Sequence, residues 1–336
     1  FVRLFGFIRS FAGIAAVTAV TVLAFTLATD ILSWTMLRAL SGASLAGLFT
    51  LADSWVSAQA RTENRGRVLG LYMICARVAL ILAPFLVGAA AIGGDRLFMA
   101  VNALLCIALL PVAFTREEAP DPPSLTTLRL GALYDIAPSA VVGGFAIGLS
   151  VSPVMALAPV YGVQNGLRPE QAAALLIALQ MGSFVLQWPL GWLSDRIDRR
   201  KVIAAIAGGT VVTSLALAAL PGTPSPVIQY LGFFAWGSLA LCAYSVCVAH
   251  ASDLVPRDQV VPTISGILVA WAAGSTIGPI PAAAALDRLG PAGLFAYAAL
   301  ISACLTVFVV RRILLLPRPP GPAAFADLPP TSPATG

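Results

Sequence analysis

Long apolar runs without a single charge recur along the chain, and they constrain its fold more than any other feature. Segments 11–28, 97–114 and 202–220 are examples, and about 20 apolar residues in a helix cross a hydrocarbon core of roughly 30 Å. Charged residues make up 10% of the sequence, against about a quarter in a soluble domain. One large soluble core would not require repeated runs of this length. The sequence therefore predicts an all-α polytopic membrane protein.

Apolar windows between breaking residues predict ten transmembrane helices. They cover residues 11–28, 32–57, 68–91, 97–114, 136–161, 170–193, 202–220, 226–249, 263–285 and 292–315. The connection 115–132 separates four spans from six, which divides the protein into a first part, 1–114, and a second part, 133–316. The proline-rich tail 317–336 cannot pack a core and is predicted to be disordered.

Basic residues are strongly biased to one side of this topology. Connections that share one side hold fifteen of them: Arg3, Arg9, Arg61, Arg65, Arg67, Arg116, Arg129, Arg196, Arg199, Arg200, Lys201, Arg257, Arg311, Arg312 and Arg318. The opposite side holds three: Arg96, Arg168 and Arg288. Because Lys and Arg accumulate on the cytoplasmic side of membrane proteins, both ends of the chain are predicted to lie in the cytoplasm. The basic residues form no aromatic-interleaved patch, so the net charge of +5 does not indicate a nucleic-acid partner.

Two segments of the chain are similar to each other. Residues 70–88 and 265–283 align with Pro84 over Pro279, and each segment follows a short basic connection. Small residues precede the prolines by one and five positions: Ala83 and Ala79 in the first copy, Gly278 and Gly274 in the second. Two homologous halves that meet around a central site are a common plan among transporters.

Charge is concentrated in the stretch "GWLSDRIDRRKV", residues 191–202. It resembles the cytoplasmic signature of the major facilitator superfamily, Gly-x-x-x-Asp-Arg-x-Gly-Arg-Arg, which joins helices eight and nine of that fold. Five residues match the signature, namely Gly191, Asp195, Arg196, Arg199 and Arg200, while Asp198 replaces its second glycine. Segment 51–73, with Asn-Arg-Gly-Arg and Tyr-Met, is similar to the YcaD-like branch of that superfamily.

This resemblance implies a fold of twelve helices in two pseudo-symmetric halves. Ten helices fall within the chain, so the first two are expected upstream of Phe1. It also implies a monomer that moves a small solute through the bilayer, with or without protons, and needs no cofactor or metal.

The same resemblance implies that Asp195 faces the cytoplasmic start of span 68–91, near residues 65–68. That contact would act as a latch, meaning a contact that stabilises one conformation. A carboxylate can face the positive N-terminal end of a helix, and glycine at Gly191 lets two helices approach closely. The alternative is a solvated loop that only sets orientation. Charge alone would not need the Gly-x-x-x-Asp spacing, which favours the latch.

Three charged residues lie inside predicted spans of the first part, where each costs several kcal/mol by most scales. Arg38 and Gly42 resemble a pattern linked to proton-coupled carriers, although Arg38 is equally able to reach the outer surface. Asp53 is a proton carrier if burial raises its pKa, but an ion pair with Arg61 or Arg65 is slightly favoured. For Arg77, an anion contact in a cavity or a buried ion pair is favoured.

An antiporter-type motif is partly present on span 68–91. Gly70, Pro84 and Gly88 match it, whereas Ala79, Ala83 and Val87 stand where the motif has glycine. These matches favour export only weakly.

Polar residues of the second part complete the candidate solute pathway. Asp135 directly precedes span 136–161, Gln180 and Gln187 lie in span 170–193, Tyr244 lies in span 226–249, and His250 directly follows it. The glutamines are candidate solute contacts or packing contacts. His250 is more typical of a structural hydrogen bond than of a proton relay.

Three classes of function compete. A secondary carrier leads, because the chain has no Gly-x4-Gly-Lys-Ser/Thr loop for nucleotide. A membrane-embedded enzyme is disfavoured, since one histidine and five scattered cysteines offer no catalytic or metal cluster. A transporter-like sensor stays open.

Overall fold

The structure is a computed structural model, and every described segment is helical or a turn. It describes residues 6–59, 95–113, 130–220, 222, 225–256 and 259–315, with isolated positions between 68 and 83. The chain forms two compact units, Phe1–Leu125 and Thr126–Gly336.

The described residues of the first unit form three long helices. They are α1 (Phe7–Ala24), α2 (Ile31–Gln59) and α3 (Asp95–Ala113). Helix α1 ends four residues before the predicted boundary, because Asp30 starts the next helix by accepting the backbone N–H of Ser33 at 2.8 Å. Phe25, Trp34 and Phe98 join the three helices, with ring centroids 4.9–6.3 Å apart.

In the second unit, the part of the chain that the structure describes forms nine helices. They are α4 (Leu130–Ile136), α5 (Pro138–Gln164), α6 (Pro169–Arg196), α7 (Arg199–Ala218), α8 (Pro226–Ala240), α9 (Ala243–Ser252), α10 (Val260–Ile277), α11 (Pro279–Leu289) and α12 (Pro291–Leu315). Helix α5 packs on α10 and α12, α6 on α8, and α7 on α12. A buried cluster of four aromatic rings fills the core: Tyr161, Phe233, Trp236 and Phe295.

Within the described residues, seven helical segments are long and apolar enough to cross a bilayer. They are Ile31–Ala52, Pro138–Gln164, Pro169–Arg196, Arg199–Ala218, Pro226–Ser252, Pro262–Leu289 and Pro291–Leu315. Predicted spans 11–28 and 97–114 correspond to the helices α1 and α3. Span 68–91 lies largely outside the described residues, so the count of ten stays a prediction.

Two predicted spans are each interrupted. Gly278 ends α10 and Pro279 starts α11, because proline has no N–H to continue the ladder and suits the first position of a helix. In span 226–249 the break falls at Leu241 and Cys242, where neither glycine nor proline marks it. The Ser245 hydroxyl donates to the Cys242 carbonyl at 2.8 Å, a side-chain bond that competes with the helical pattern.

Glycines allow α5 and α10 to cross at close range. A Cβ atom added at Gly148 would overlap the Trp271 carbonyl, and one added at Gly274 would overlap the Phe145 carbonyl. At Gly278 it would lie 2.6 Å from the Leu149 carbonyl. The backbones therefore touch at this crossing, as small residues permit in membrane bundles.

Candidate functional site

Arg199 joins three helix ends of the second unit. Its guanidinium lies 3.0 Å from Asp195 and 2.5 Å from Asp253, and it donates to the Ser194 hydroxyl at 2.7 Å. Ser194 and Asp195 belong to the last turn of α6, Arg199 begins α7, and Asp253 caps the end of α9. We call these four residues the Arg199 cluster.

A second ion pair, between Asp198 and Arg200, is more buried. Arg200 and Asp198 are 2.9 Å apart, and their side chains are 6% and 11% exposed. Asp198 also accepts the backbone N–H of Arg200 at 2.9 Å, so it caps α7 at its N-terminus. His250, in the last turn of α9, is 6% exposed and close enough to Asp198 for their charges to interact. Part of the charged stretch 191–202 is thus buried and hydrogen-bonded in the second unit.

Opposing effects act on the pKa of the Asp198 carboxyl. Burial raises it, but the side-chain and backbone hydrogen bonds from Arg200, with the Arg200 charge, lower it more, and the pKa lies below its usual value of 3.8. A lowered pKa in the folded state stabilises the protein above the unfolded pKa. That stabilisation is lost as the pH falls through the folded pKa.

We therefore expect Asp198→Asn to melt below the wild type at neutral pH, and the difference to shrink as the pH falls below about 4, where the wild-type carboxylate protonates. Melting curves of the purified protein across this pH range measure the effect. Asp195→Asn is the control, because its side chain is 68% exposed and its pair with Arg199 contributes little stability. A deficit of Asp198→Asn that does not change with pH would show that the charge of Asp198 is not responsible.

The predicted latch residues are placed as follows. Arg196 stacks on the Trp192 ring, with its guanidinium carbon 3.8 Å from the centroid. Among the described residues, no atom lies within 4 Å of a Cβ added at Gly191. Arg65, proposed near Asp195, lies outside the described residues, so the latch contact stays a prediction.

Sequence reasoning missed three members of this region. Asp198 was treated as a departure from the signature, whereas it caps α7 and pairs with Arg200. Ser194 and Asp253 were not singled out. An aspartate two residues before an arginine at the start of an apolar helix is a capping signal that could have identified Asp198.

A polar strip lies beside the interruption between α8 and α9. Gln187 of α6 donates to the Ser245 hydroxyl of α9 at 2.9 Å, and Ser245 donates to the Cys242 carbonyl. The Gln187 Oε1 atom is buried without a hydrogen-bond partner among the described residues. The Tyr244 ring meets the Trp271 ring edge-on, with centroids 6.2 Å apart. Gln187, Tyr244, Ser245 and Trp271 form what we call the polar strip.

Gln180 lies two turns before Gln187 on α6. It is 8% exposed, and its Oε1 atom also has no partner within the described residues. Asp135 is exposed on the short helix α4. Gln187 and Tyr244 both lie near the interruption between α8 and α9, because Gln187 bonds Ser245 and Tyr244 precedes Ser245 in α9. In the described part of the chain, no contact joins Asp135 to either residue.

Most candidates of the first unit are only partly described. Arg38 is exposed on α2, and no atom of the described residues lies within 4 Å of a Cβ added at Gly42. The Asp53 side chain lies outside the described residues, as do Gly70, Arg77, Pro84 and Gly88. A groove of about 670 Å³ between α1 and α2 is lined mainly by apolar side chains, with Arg9 among them. In the described ranges, no group of three or more His, Cys, Asp or Glu residues could hold a metal ion.

The chain is similar to known proteins over nearly all of its length. The family model of the Major Facilitator Superfamily matches residues 1–240 and 140–334. An uncharacterised MFS-type transporter, YcaD, of Escherichia fergusonii is 25% identical over 313 residues, which cover 93% of this chain and 80% of that protein. The YcaD protein of Salmonella typhi is 24% identical over 291 residues, covering 85% of this chain and 74% of that protein.

Solved structures share the fold. A D-xylose-proton symporter superposes with a TM-score of 0.72 at 13% identity, covering 94% of this chain and 82% of its own. A bacterial homologue of the human lysosomal transporter Spinster, in an inward-facing conformation, gives a TM-score of 0.66 at 16% identity, with 90% and 81% covered. At these identities the likeness shows the fold alone.

Proposed function

Because this chain belongs to the Major Facilitator Superfamily and is a membrane transporter, we propose that it is a secondary carrier that moves a small organic solute by alternating access. We place it in the cytoplasmic membrane with both ends in the cytoplasm, since basic residues accumulate on that side of the predicted topology. The polar strip is the observation that carries the proposal for the solute.

Polar side chains inside apolar spans are expensive and usually face a wet cavity or a partner helix. In the polar strip, the Gln187 amide bonds Ser245 of the broken helix, the Gln187 carbonyl oxygen has no partner among the described residues, and the Tyr244 ring of that helix meets the Trp271 ring. Broken helices expose backbone groups near the bilayer midplane, where carriers bind their solutes. The strip therefore offers one hydrogen-bond acceptor, backbone polar groups and an aromatic surface, which suits a neutral or zwitterionic solute with hydroxyl or amino groups.

We propose proton coupling, with Asp53 as the candidate proton carrier to be tested against its slightly favoured ion pair with Arg61 or Arg65. Apart from Glu170 at the first turn of α6, Asp53 is the one carboxylate within the predicted spans. One structural relative is a D-xylose-proton symporter, which supports a fold compatible with coupling.

The test uses the full-length protein in liposomes loaded with a pH-sensitive dye. The solute panel contains monosaccharides, D-xylose among them, amino acids and small carboxylates, and empty liposomes are the control. Solute-dependent alkalinisation or acidification that Asp53→Asn abolishes supports coupled transport. Solute flux without a pH change refutes coupling but not transport. No flux for any panel member refutes the carrier for these classes and favours the sensor.

We expect Ser245→Ala to raise the KM for the transported solute roughly tenfold, because it releases the Gln187 side chain that Ser245 positions. Ser252→Ala is the matched control on the same helix, since the Ser252 hydroxyl bonds only the Val248 carbonyl of α9 in the described part. Uptake rates at a series of solute concentrations measure both variants. Equal KM values for the two variants would remove the polar strip from the solute pathway.

A further inference from the structure

Pro153 and Pro279 both lie at the crossing of α5 with α10 and α11. Pro153 is inside α5, and Pro279 begins α11 directly after the end of α10. Because proline has no backbone N–H, the carbonyl four residues earlier in a helix loses its usual donor. The carbonyls concerned are those of Leu149 on α5 and Ser275 on α10. Both belong to apolar spans, where a main-chain carbonyl needs a partner from within the protein.

Each of these two carbonyls is directed at the opposite helix. The Ser152 hydroxyl of α5 donates to the Ser275 carbonyl at 3.1 Å, although the two residues are 123 positions apart. The Leu149 carbonyl oxygen lies 2.6 Å from the point that a Cβ atom of Gly278 would occupy, so it faces a Cα hydrogen of that glycine. Each helix therefore supplies a contact to the carbonyl that proline has deprived of its donor in the other.

The chain stays helical through Pro279, and one hydrogen bond is missing. Gly278 has helical dihedral angles, φ −53° and ψ −44°, and its N–H bonds the carbonyl four residues earlier at 2.8 Å. The pattern resumes where the Ala282 N–H bonds the Gly278 carbonyl at 3.2 Å. An N–H at position 279 would thus be directed at the Ser275 carbonyl, and the Ser152 hydroxyl takes its place.

We propose that Ser152 holds α10 and α11 at a fixed angle by replacing the hydrogen bond that Pro279 removes, and that the chain bends at Gly278 when this contact opens. Opening costs little, because a serine hydroxyl in a helix can instead bond the carbonyl four residues earlier on its own helix. The Ser275 Oγ atom is buried and has no hydrogen-bond partner among the described residues. The closed crossing therefore leaves one polar atom unsatisfied, which lowers the cost of opening further.

The first experiment measures Ser152→Ala in the wild-type and Pro279→Ala backgrounds of the full-length protein. Ser150→Ala is the control, since the Ser150 hydroxyl reaches the Ile147 carbonyl of its own helix. In the wild-type background, Ser152→Ala leaves the Ser275 carbonyl without a donor and lowers the melting temperature by roughly 2–4 °C relative to Ser150→Ala. In the Pro279→Ala background a main-chain N–H is available to that carbonyl, so the difference disappears. An equal difference in both backgrounds overturns the proposal.

A second pair of variants decides the matter if Pro279→Ala does not fold. Ser152→Thr and Ser152→Val introduce side chains of nearly the same shape, and only threonine keeps the hydroxyl. Ser152→Thr is therefore expected to melt roughly 2–4 °C above Ser152→Val. Equal melting temperatures would show that the hydroxyl does not hold the crossing.

Hydrogen exchange measured by mass spectrometry tests the bending, and it requires no transport activity. If Ser152 holds the angle, Ser152→Ala makes the segment around Gly278 open more often. The amides of Ile280 and Ala282 should then exchange roughly 2- to 12-fold faster, the factor that the loss of one hydrogen bond produces. Ser150→Ala should leave both rates unchanged. Rates in Ser152→Ala that equal those of Ser150→Ala overturn the proposed bending.

Discussion

Replacing Gly274 with valine is expected to destabilise the second unit by about 3 kcal/mol, at the upper end of the usual cost of overpacking. A Cβ atom at this position meets the backbone of α5, the Phe145 carbonyl and the Leu149 amide, and not a flexible side chain that could move aside. Relief therefore requires α5 and α10 to separate. Since α5 also packs against α12, separation disturbs the core of the unit.

Gly191→Ala is the matched control in the same unit. Its Cβ meets no described atom within 4 Å, and alanine is favoured over glycine inside a helix by up to about 1 kcal/mol. Melting temperatures and the yield of monodisperse protein should therefore fall sharply for Gly274→Val and hold or rise for Gly191→Ala. If Gly274→Val has the same melting temperature as Gly191→Ala, the backbones of α5 and α10 do not touch at this crossing.

The sequence predicted the membrane helices well because their signal is redundant. Each of the seven segments in the described ranges contains a long, mainly apolar window, with Arg38 as a charge inside the first, and errors of a few residues at the ends leave it recognisable. Pro279 was noted as the proline of the internal repeat, but the break at Gly278 and Pro279 was not predicted, since span 263–285 was expected to be continuous. At the break at Leu241 and Cys242 neither glycine nor proline gives a signal; the Ser245 hydroxyl bonds the Cys242 carbonyl locally, and only the contact of the Cys242 thiol with the Ser183 carbonyl of α6, at 3.5 Å, is tertiary.

The candidate site was less predictable, because composition does not say which way a side chain points. Gln187 was a candidate from its chemistry alone, but its partner Ser245 lies 58 residues away and carries no motif. The role of Asp253 was equally unpredictable from the sequence, because only the packing of α9 beside α7 brings Asp253 to Arg199. Asp198 differs from both: its cap and its pair with Arg200 are local, so it was predictable and was missed.

Replacing Arg199 with alanine is expected to reduce solute flux by roughly 5- to 150-fold, the range that a coupling free energy of 1–3 kcal/mol produces. The expectation rests on the proposed latch. Arg199 holds the end of α6, the start of α7 and the end of α9 together, and the polar strip is built on α6 and α9. Without it, these helix ends can shift independently, and the conformation in which they are joined loses population.

Stability is expected to respond much less than flux. The Asp195 and Asp253 side chains are 68% and 40% exposed, and exposed ion pairs contribute about 0–1 kcal/mol. Asp198→Ala should lower stability more than flux, because it removes a helix cap and the partner of a buried arginine. The combined cost in the free energy of unfolding is roughly 2–4 kcal/mol. Flux and melting temperature measured on both variants separate a conformational role from a structural one.

Exchanging the charges gives the sharper measurement. The double variant Arg199→Asp with Asp253→Arg restores the attraction between α7 and α9, whereas each single change places like charges at these two facing positions. If the Arg199 cluster stabilises one transport conformation, the double variant recovers flux that both single variants lose. If flux stays low in the double variant while its melting temperature matches the wild type, the ion pair itself is not the latch. The Asp195 side, with its contact near residues 65–68, then becomes the place to search.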